Sequence, residues 1–454
     1  MEIRFSRTGK PAKTLLLLGL SLGYFMVLLD MTVVSVALPA IRAELSGGIS
    51  GLQWVVNAYT ILFACLLLSM GAFSDKLGAK RVYTGGLVLF LAASAMSAAV
   101  STLNQLIGLR AILGIGGAAL MPASLTLVAH AFQEPAERAR ALGVWAAVTG
   151  TAMAAGPVVG GLLVDSFGWR SIFLLNVPLA VISMLLTFLF VKETDRKPHT
   201  SFDIGGQITA IAAIASLSFG LMEGGTYGWQ SPVILASLTL ALLSAVSFLM
   251  IEVRAKAPLL PLRLFKVRAV TAGMLAGMAI NIGLSGILFV LPLNYQIRGF
   301  SAHLTGIALL PMMVPLAINP ILTARIVGII GARLPMTIGF SLGAAGTVLQ
   351  VWAGVNTDSI YSWIGLLLIG FGVSLTIPSL MAAVISSVSK EQTGAVSGAL
   401  HTSRQLGAML GVAILGSIVS GSESFTAGIQ QSLIVTAVIL SGGSLLSFTF
   451  IGRK

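Results

Sequence analysis

Four ionisable residues stand inside apolar stretches of this 454-residue chain: Asp30, Arg110, His401 and Arg404. Asp30 is the only acid well inside such a stretch. In a hydrocarbon environment each charged group costs about 2.5–3.5 kcal/mol to insert, so a residue kept there faces a cavity or a partner. A carboxylate in a low-dielectric site is driven toward its neutral form, and a nearby cation drives it back toward the charged one. Asp30 can therefore take up and release a proton, or hold a cation, with Arg110 as the candidate partner. The competing reading is a carboxylate paired with a base for structure alone. Arg110 lies several residues inside its stretch, which weakens the case for a side chain that only snorkels to the surface. His401 could titrate near physiological pH, or serve as a hydrogen-bonded packing residue. Arg404 could snorkel. Glu223 and His401 come next as coupling groups if Asp30 does not serve.

The elements that must position these residues follow from composition. The chain is 56% hydrophobic and 9% charged, against about 25% charged in soluble proteins. Apolar runs of about 20 residues, enough to cross a bilayer core, recur from end to end. The expected fold is an all-α polytopic membrane protein of about fourteen spans. The first six cover roughly 14–39, 51–73, 82–100, 104–129, 141–164 and 170–191. Two follow at 205–222 and 232–251, and six more at 269–292, 304–324, 334–353, 360–387, 395–420 and 428–450. A basic start before the first run resembles a signal peptide, but the run continues through 33–39, too long for a cleaved signal.

The bases sort by side. With both termini cytoplasmic, the cytoplasmic segments of the first half hold Arg4, Arg7, Lys10, Lys13, Lys76, Lys80, Arg81, Arg138, Arg140, Lys192, Arg196 and Lys197. Those after it hold Arg254, Lys256, Arg263, Lys266, Arg268, Arg325, Arg333, Lys390, Arg453 and Lys454. The opposite side has Arg42, Arg170 and Arg298. This asymmetry supports the span count and the orientation. It also explains the net charge of +12 without nucleic acid, for which no motif is present. The single cysteine, Cys65, lies in an apolar run and reads as a small core residue.

Internal repeats appear next. Leu38-Pro39 precedes Gly78 by the same interval as Leu291-Pro292 precedes Gly331. Gly114-x-Gly116-x5-Pro122 matches Gly370-x-Gly372-x5-Pro378, and Arg140-Ala-Leu-Gly143 matches Arg404-Gln-Leu-Gly407. Two parallel six-span halves, 1–191 and 269–454, would then flank two inserted helices in 192–268. Such halves enclose a substrate site near the bilayer midplane. The halves are unequal: Gly328 stands where Asp75 does, and Leu366 where Arg110 does. The charged chemistry belongs mainly to the first half.

The segment Gly71-Ala-Phe-Ser-Asp75-Lys76-Leu-Gly78-Ala-Lys80-Arg81-Val82 reads as a tight loop at the membrane surface, its glycines allowing a sharp turn. It resembles the loop between spans 2 and 3 of the major facilitator superfamily of secondary transporters. Leu29-Asp30-Met-Thr32-Val-Val-Ser35-Val-Ala37-Leu38-Pro39 looks like the first-span motif of that family's fourteen-spanner drug–proton antiporter branch, with Ser35 where asparagine is more common. Arg110-Ala-Ile-Leu-Gly114-Ile-Gly116-Gly117 is similar to the fourth-span motif, in which the arginine is implicated in proton transfer; Leu113 stands where glutamine is frequent. Gly156-Pro157-Val-Val-Gly160-Gly161 resembles the motif that marks exporters. Trp169-Arg170-x2-Phe173-x2-Asn176-x-Pro178, Phe202-Asp203-x2-Gly206 and Pro258-Leu-Leu-Pro261-Leu-Arg263-Leu-Phe265 also look like the drug-antiporter branch.

The resemblance implies a major facilitator fold with Asp30 and Arg110 at the proton and substrate site. It implies a gate at Asp75, Gly78, Arg81 and Arg140, with Asp75 pairing to Arg140 or capping span 11. It further implies a monomer in a bacterial plasma membrane that takes protons and a small-molecule substrate, with a proton gradient in place of any cofactor or metal. The leading function is proton-coupled export of small lipophilic, often cationic, drugs or toxic compounds by alternating access. The alternative is a facilitator-type importer or exporter of a specific metabolite, peptide or antibiotic. An ATP-driven pump is disfavoured, since no phosphate-binding G-x4-G-K-[ST] loop is present. An enzyme is disfavoured by the lack of a soluble domain, metal cluster or catalytic triad.

Overall fold

The structure is a computed structural model that describes residues 10–196, 203–255, 258–260, 262–352, 360–389 and 392–452. Arg4, Arg7, Lys197, Lys256, Lys390, Arg453 and Lys454 of the basic set, and Phe202 and Pro261 of the motifs, lie outside the described residues. Among these the chain forms fourteen long helical segments: α1 Lys10–Leu45, α2 Ile49–Leu77, α3 Ala79–Ser97, α4 Leu103–Ala131, α5 Pro135–Phe167, α6 Ser171–Phe190, α7 Ile204–Tyr227, α8 Pro232–Arg254, α9 Arg268–Ile297, α10 Leu310–Ile330, α11 Arg333–Trp352, α12 Ile360–Ser386, α13 Thr393–Gly421 and α14 Phe425–Phe450. Thirteen are long and apolar enough to cross a membrane. The fourteenth, α3, has 19 residues and packs along α4. A seven-residue helix, Ala302–Ala308, precedes α10. This is an all-helical, multi-pass membrane protein.

The helices outrun the apolar runs that announce them. α1, at 36 residues, is about 54 Å long at 1.5 Å per residue, well beyond a core of about 30 Å. Helix continues into the headgroup zone because its internal hydrogen bonds satisfy the backbone wherever water is scarce. The same effect corrects the loop expected at 71–82. α2 runs on to Leu77 and α3 starts at Ala79. The reversal is carried by Gly78 alone, at φ +98°, a conformation that costs a side chain dearly and glycine little.

The two sets of six share one packing scheme. α1 packs on α5 and α6, as α9 does on α13 and α14. α4 takes α2 and α3, as α12 takes α10 and α11. The repeated glycines serve the same close approaches. A β-carbon at Gly114 would strike the backbone of Tyr59 on α2, and one at Gly370 the backbone of Met312 on α10. The sets meet through α1 with α9, α2 with α13, and α5 with α10 and the short helix. The α7–α8 hairpin lies outside this core, with α7 against α2 and α13.

Candidate functional site

Asp30 and Arg110 form an ion pair inside the first set of helices, with 0% and 1% of their side chains exposed. Arg110 Nη1 donates to Asp30 Oδ2. Its Nε donates to the carbonyl of Val55 at 3.0 Å, and its guanidinium lies 4.6 Å over the Tyr59 ring. Asn176 Nδ2 donates to Asp30 Oδ1 at 3.0 Å and lies 3.2 Å from Ser94 Oγ. Tyr59 in turn donates to Val27 O at 3.3 Å. Five helices, α1, α2, α3, α4 and α6, thus meet on one carboxylate. Both of its oxygens accept hydrogen bonds. Arg110 lies seven residues below Leu103, about 10 Å along the axis, so the network sits toward the end of the bundle at which α4 begins. Asp30 has no exposed surface on which a drug could rest in this conformation.

Asn176, Tyr59 and Ser94 were not legible as functional residues. Asn176 appears in a motif, and its signal was present: a buried amide in an apolar helix needs partners. Tyr59 and Ser94 gave no signal beyond a phenol and a hydroxyl in apolar runs.

The Gly156–Gly161 motif packs α5 closely against α1 and the short helix. β-Carbons added at Gly156 and Gly160 would meet Thr32 and Val33 of α1, and one at Gly161 the backbone of Ala302. Pro157 lies between them, with its carbonyl against Gly306. A few residues on, the Asp165 carboxylate accepts from the backbone N–H groups of Ala302 at 3.1 Å and His303 at 2.9 Å. Gln296 Nε2 donates to Val36 O at 2.8 Å, and Gln53 Nε2 to Val412 O at 2.9 Å and Ala413 O at 2.8 Å. These contacts join the two sets of helices near the end at which α1 finishes and α2 begins. Nearby, Glu44 holds Trp169 Nε1 at 2.7 Å and pairs with Arg170, which accounts for the Trp169-Arg170 dipeptide.

At the opposite end of the bundle, Gly78 meets a partner that sequence reasoning did not identify. Glu193 Oε1 accepts from Lys80 N at 2.9 Å, and Thr194 Oγ1 from Ala79 N at 2.9 Å. The linker after α6 therefore caps α3, and a β-carbon at Gly78 would meet the Glu193 carboxyl at 2.6 Å. Arg81 Nε stands 3.8 Å from Glu193. Asp75 is half-buried on the last turn of α2, and Arg140 is exposed near the start of α5. Glu137, one turn before Arg140, bonds Lys13 at 2.5 Å.

His401 and Arg404 lie one turn apart on α13, both half-buried. Arg404 is within electrostatic reach of His401 and of Tyr24 on α1. Tyr24 stacks on Trp145 of α5, with centroids 4.1 Å apart, and accepts from Thr149 at 3.2 Å. Glu223 is remote from Asp30. It accepts from Ser50 Oγ and from Trp54 Nε1 at 3.1 Å, fastening α7 to the outer end of α2. Among the described residues no cluster of His, Cys, Asp and Glu could hold a metal.

Comparison with known proteins places this geometry. The model of the Major Facilitator Superfamily matches residues 20–412. A methylenomycin A resistance protein of Bacillus subtilis is 35% identical over 96% of this chain and 94% of its own length. The multidrug transporter protein MdtP of the same organism is 34% identical over 92% of this chain and 77% of its own. In fold the chain is similar to a D-xylose-proton symporter, with a TM-score of 0.73 at 14% identity, covering 97% of this chain and 98% of that one.

Proposed function

The chain belongs to the Major Facilitator Superfamily, and from that premise we propose that it is a proton-coupled exporter of small lipophilic, often cationic, drugs or toxic compounds. It is a transporter and not an enzyme, acting as a monomer in a bacterial plasma membrane with both termini in the cytoplasm. The energy comes from a proton gradient, with no cofactor.

The observation that carries the reading is the fully buried Asp30–Arg110–Asn176 network. An ion pair placed at such cost in a membrane core marks a proton path more readily than a structural tie, because removing it from water outweighs much of its attraction. Asp30 exchanges its proton when alternation separates it from Arg110 and opens it to water. Its burial assigns it to coupling, so the drug is held between the two sets of helices. Asp75 and Arg140 latch the cytoplasmic end. The external contacts of Gly156, Pro157, Gly160 and Gly161 form the opposing closure. The similarity to resistance proteins and a multidrug transporter supports the outward direction.

The test is a drug-susceptibility panel in a pump-deficient bacterium expressing this chain, with the double variant Asp30→Asn, Arg110→Gln as control. Raised tolerance that vanishes in the variant supports export. Unchanged susceptibility together with proton-dependent uptake of a nutrient would favour an importer.

A further inference from the structure

We propose that Arg404, with His401, Tyr24 and Thr149, forms an anion subsite between the two sets of helices that recognises a carboxylate on the transported compound. Arg404 lies eleven residues into α13 from Thr393, about 17 Å along the axis, roughly the middle of a bilayer core. Its stem runs along Gly277 of α9, where a β-carbon would come within 3.1 Å of Arg404 Cγ. Its charge reaches Tyr24 on α1. The stem thus packs on α9, with Arg404 and Tyr24 of α1 within electrostatic reach of each other.

Arg404 Nε is buried without an acceptor, and no carboxylate pairs with it among the described residues. Helices α9 to α14, which surround Arg404 on its own side of the seam, contain no Asp or Glu. Asp30, the one deep acid, already has Arg110 and Asn176 on its two oxygens. A cation kept at mid-membrane is expensive unless something answers its charge. A guanidinium presents a planar fork that fits a carboxylate with two parallel hydrogen bonds. His401, three residues earlier on the same face, adds a ring N–H. The Tyr24–Trp145 stack adds a flat apolar wall, and the hydroxyls of Tyr24 and Thr149 add polar contacts. A small compound with one acidic group and an apolar body fits this set. The subsite extends the exporter's range to acids. It rests on the export reading only for the direction of travel.

A lipid phosphate shares this chemistry, so the test separates the two sources. The full chain is purified into phosphatidylcholine nanodiscs, without any proton gradient. Equilibrium binding of salicylate and of methyl salicylate is then measured by calorimetry. A charge-assisted pair predicts that the acid binds about tenfold or more tightly than the ester. Arg404→Gln should abolish this preference, and Arg404→Lys should keep part of it. Equal binding of acid and ester by the wild-type chain overturns the proposal, and so does a preference that survives Arg404→Gln. Loss of salicylate binding in phosphatidylglycerol nanodiscs, where it persists in phosphatidylcholine, assigns the site to a net-anionic lipid headgroup and overturns it also. The wild-type acid-to-ester ratio decides the matter even where Arg404→Gln fails to fold. Since no transport is measured, failure here leaves the export reading intact, and failure of export leaves the subsite intact.

Discussion

Replacing Asp30 by asparagine separates a coupling carboxylate from a structural one, provided the pair is treated as a unit. Asparagine keeps an oxygen for one donor but removes the charge. Arg110 would then retain the Val55 carbonyl at 3.0 Å and the Tyr59 ring at 4.6 Å, with no counter-charge. Removing one partner of a buried pair costs about 3–5 kcal/mol. That is a large share of a typical stability of about 5–15 kcal/mol, so the single variant will lose abundance for a trivial reason. Asp30→Asn combined with Arg110→Gln removes both charges, and replacing a whole buried pair is often close to neutral. The double variant should therefore regain wild-type abundance and thermal stability. It should not regain uphill transport. The assay is drug accumulation in inverted vesicles with an acid lumen. A one-for-one exchange across one pH unit is driven by about 1.4 kcal/mol, or about a tenfold concentration ratio. The wild-type chain should approach that ratio, and the double variant should settle near equality with or without the gradient. Accumulation by the double variant above equality would place coupling elsewhere, with Glu223 and His401 the next groups to test.

Three further outcomes follow from the same geometry. Asp75→Asn should impair transport while leaving the protein in the membrane, because a gate biases a two-state equilibrium that a few kcal/mol displaces; full transport by the variant would reduce Asp75 to a surface charge. In a Cys65→Ala background, a cysteine at Glu44 should react with an impermeant reagent in intact cells and one at Lys76 should not; labelling at Lys76 would reverse the orientation. Asp165→Ala removes the acceptor of two backbone N–H groups, worth about 1.5–3 kcal/mol each for a charged acceptor. It should raise external labelling of a cysteine placed at Thr32, and no change there would mean that the helix contacts alone hold the closure.

Much of this protein is decided along the chain. Apolar runs of spanning length can only be helices in a bilayer, since the backbone must satisfy itself. The placement of Lys and Arg sets the expected orientation by electrostatics. The pairing of Gly114 with Gly370 announces the repeated packing, because close helix approach demands the same small residue in each set. Asp30 stands out by type alone, as a charge where charges are costly.

What only the tertiary structure decides is direction. Helices such as α1 and α4 are apolar on nearly every side, so no stripe tells which face meets lipid, a partner helix or the central space. Asp30 turns into its own bundle, toward Arg110 and Asn176, and Arg404 packs its stem on α9 within electrostatic reach of Tyr24. From sequence, both were ionisable residues in similar apolar runs. Gly78 was expected in a loop of several residues and is a one-residue hinge held by Glu193. The partners lie far apart in sequence: Asn176 stands 146 residues from Asp30 and Glu193 113 from Lys80. Hydrogen bonds and ion pairs act over about 3–4 Å in space, a distance that composition and spacing along the chain do not specify.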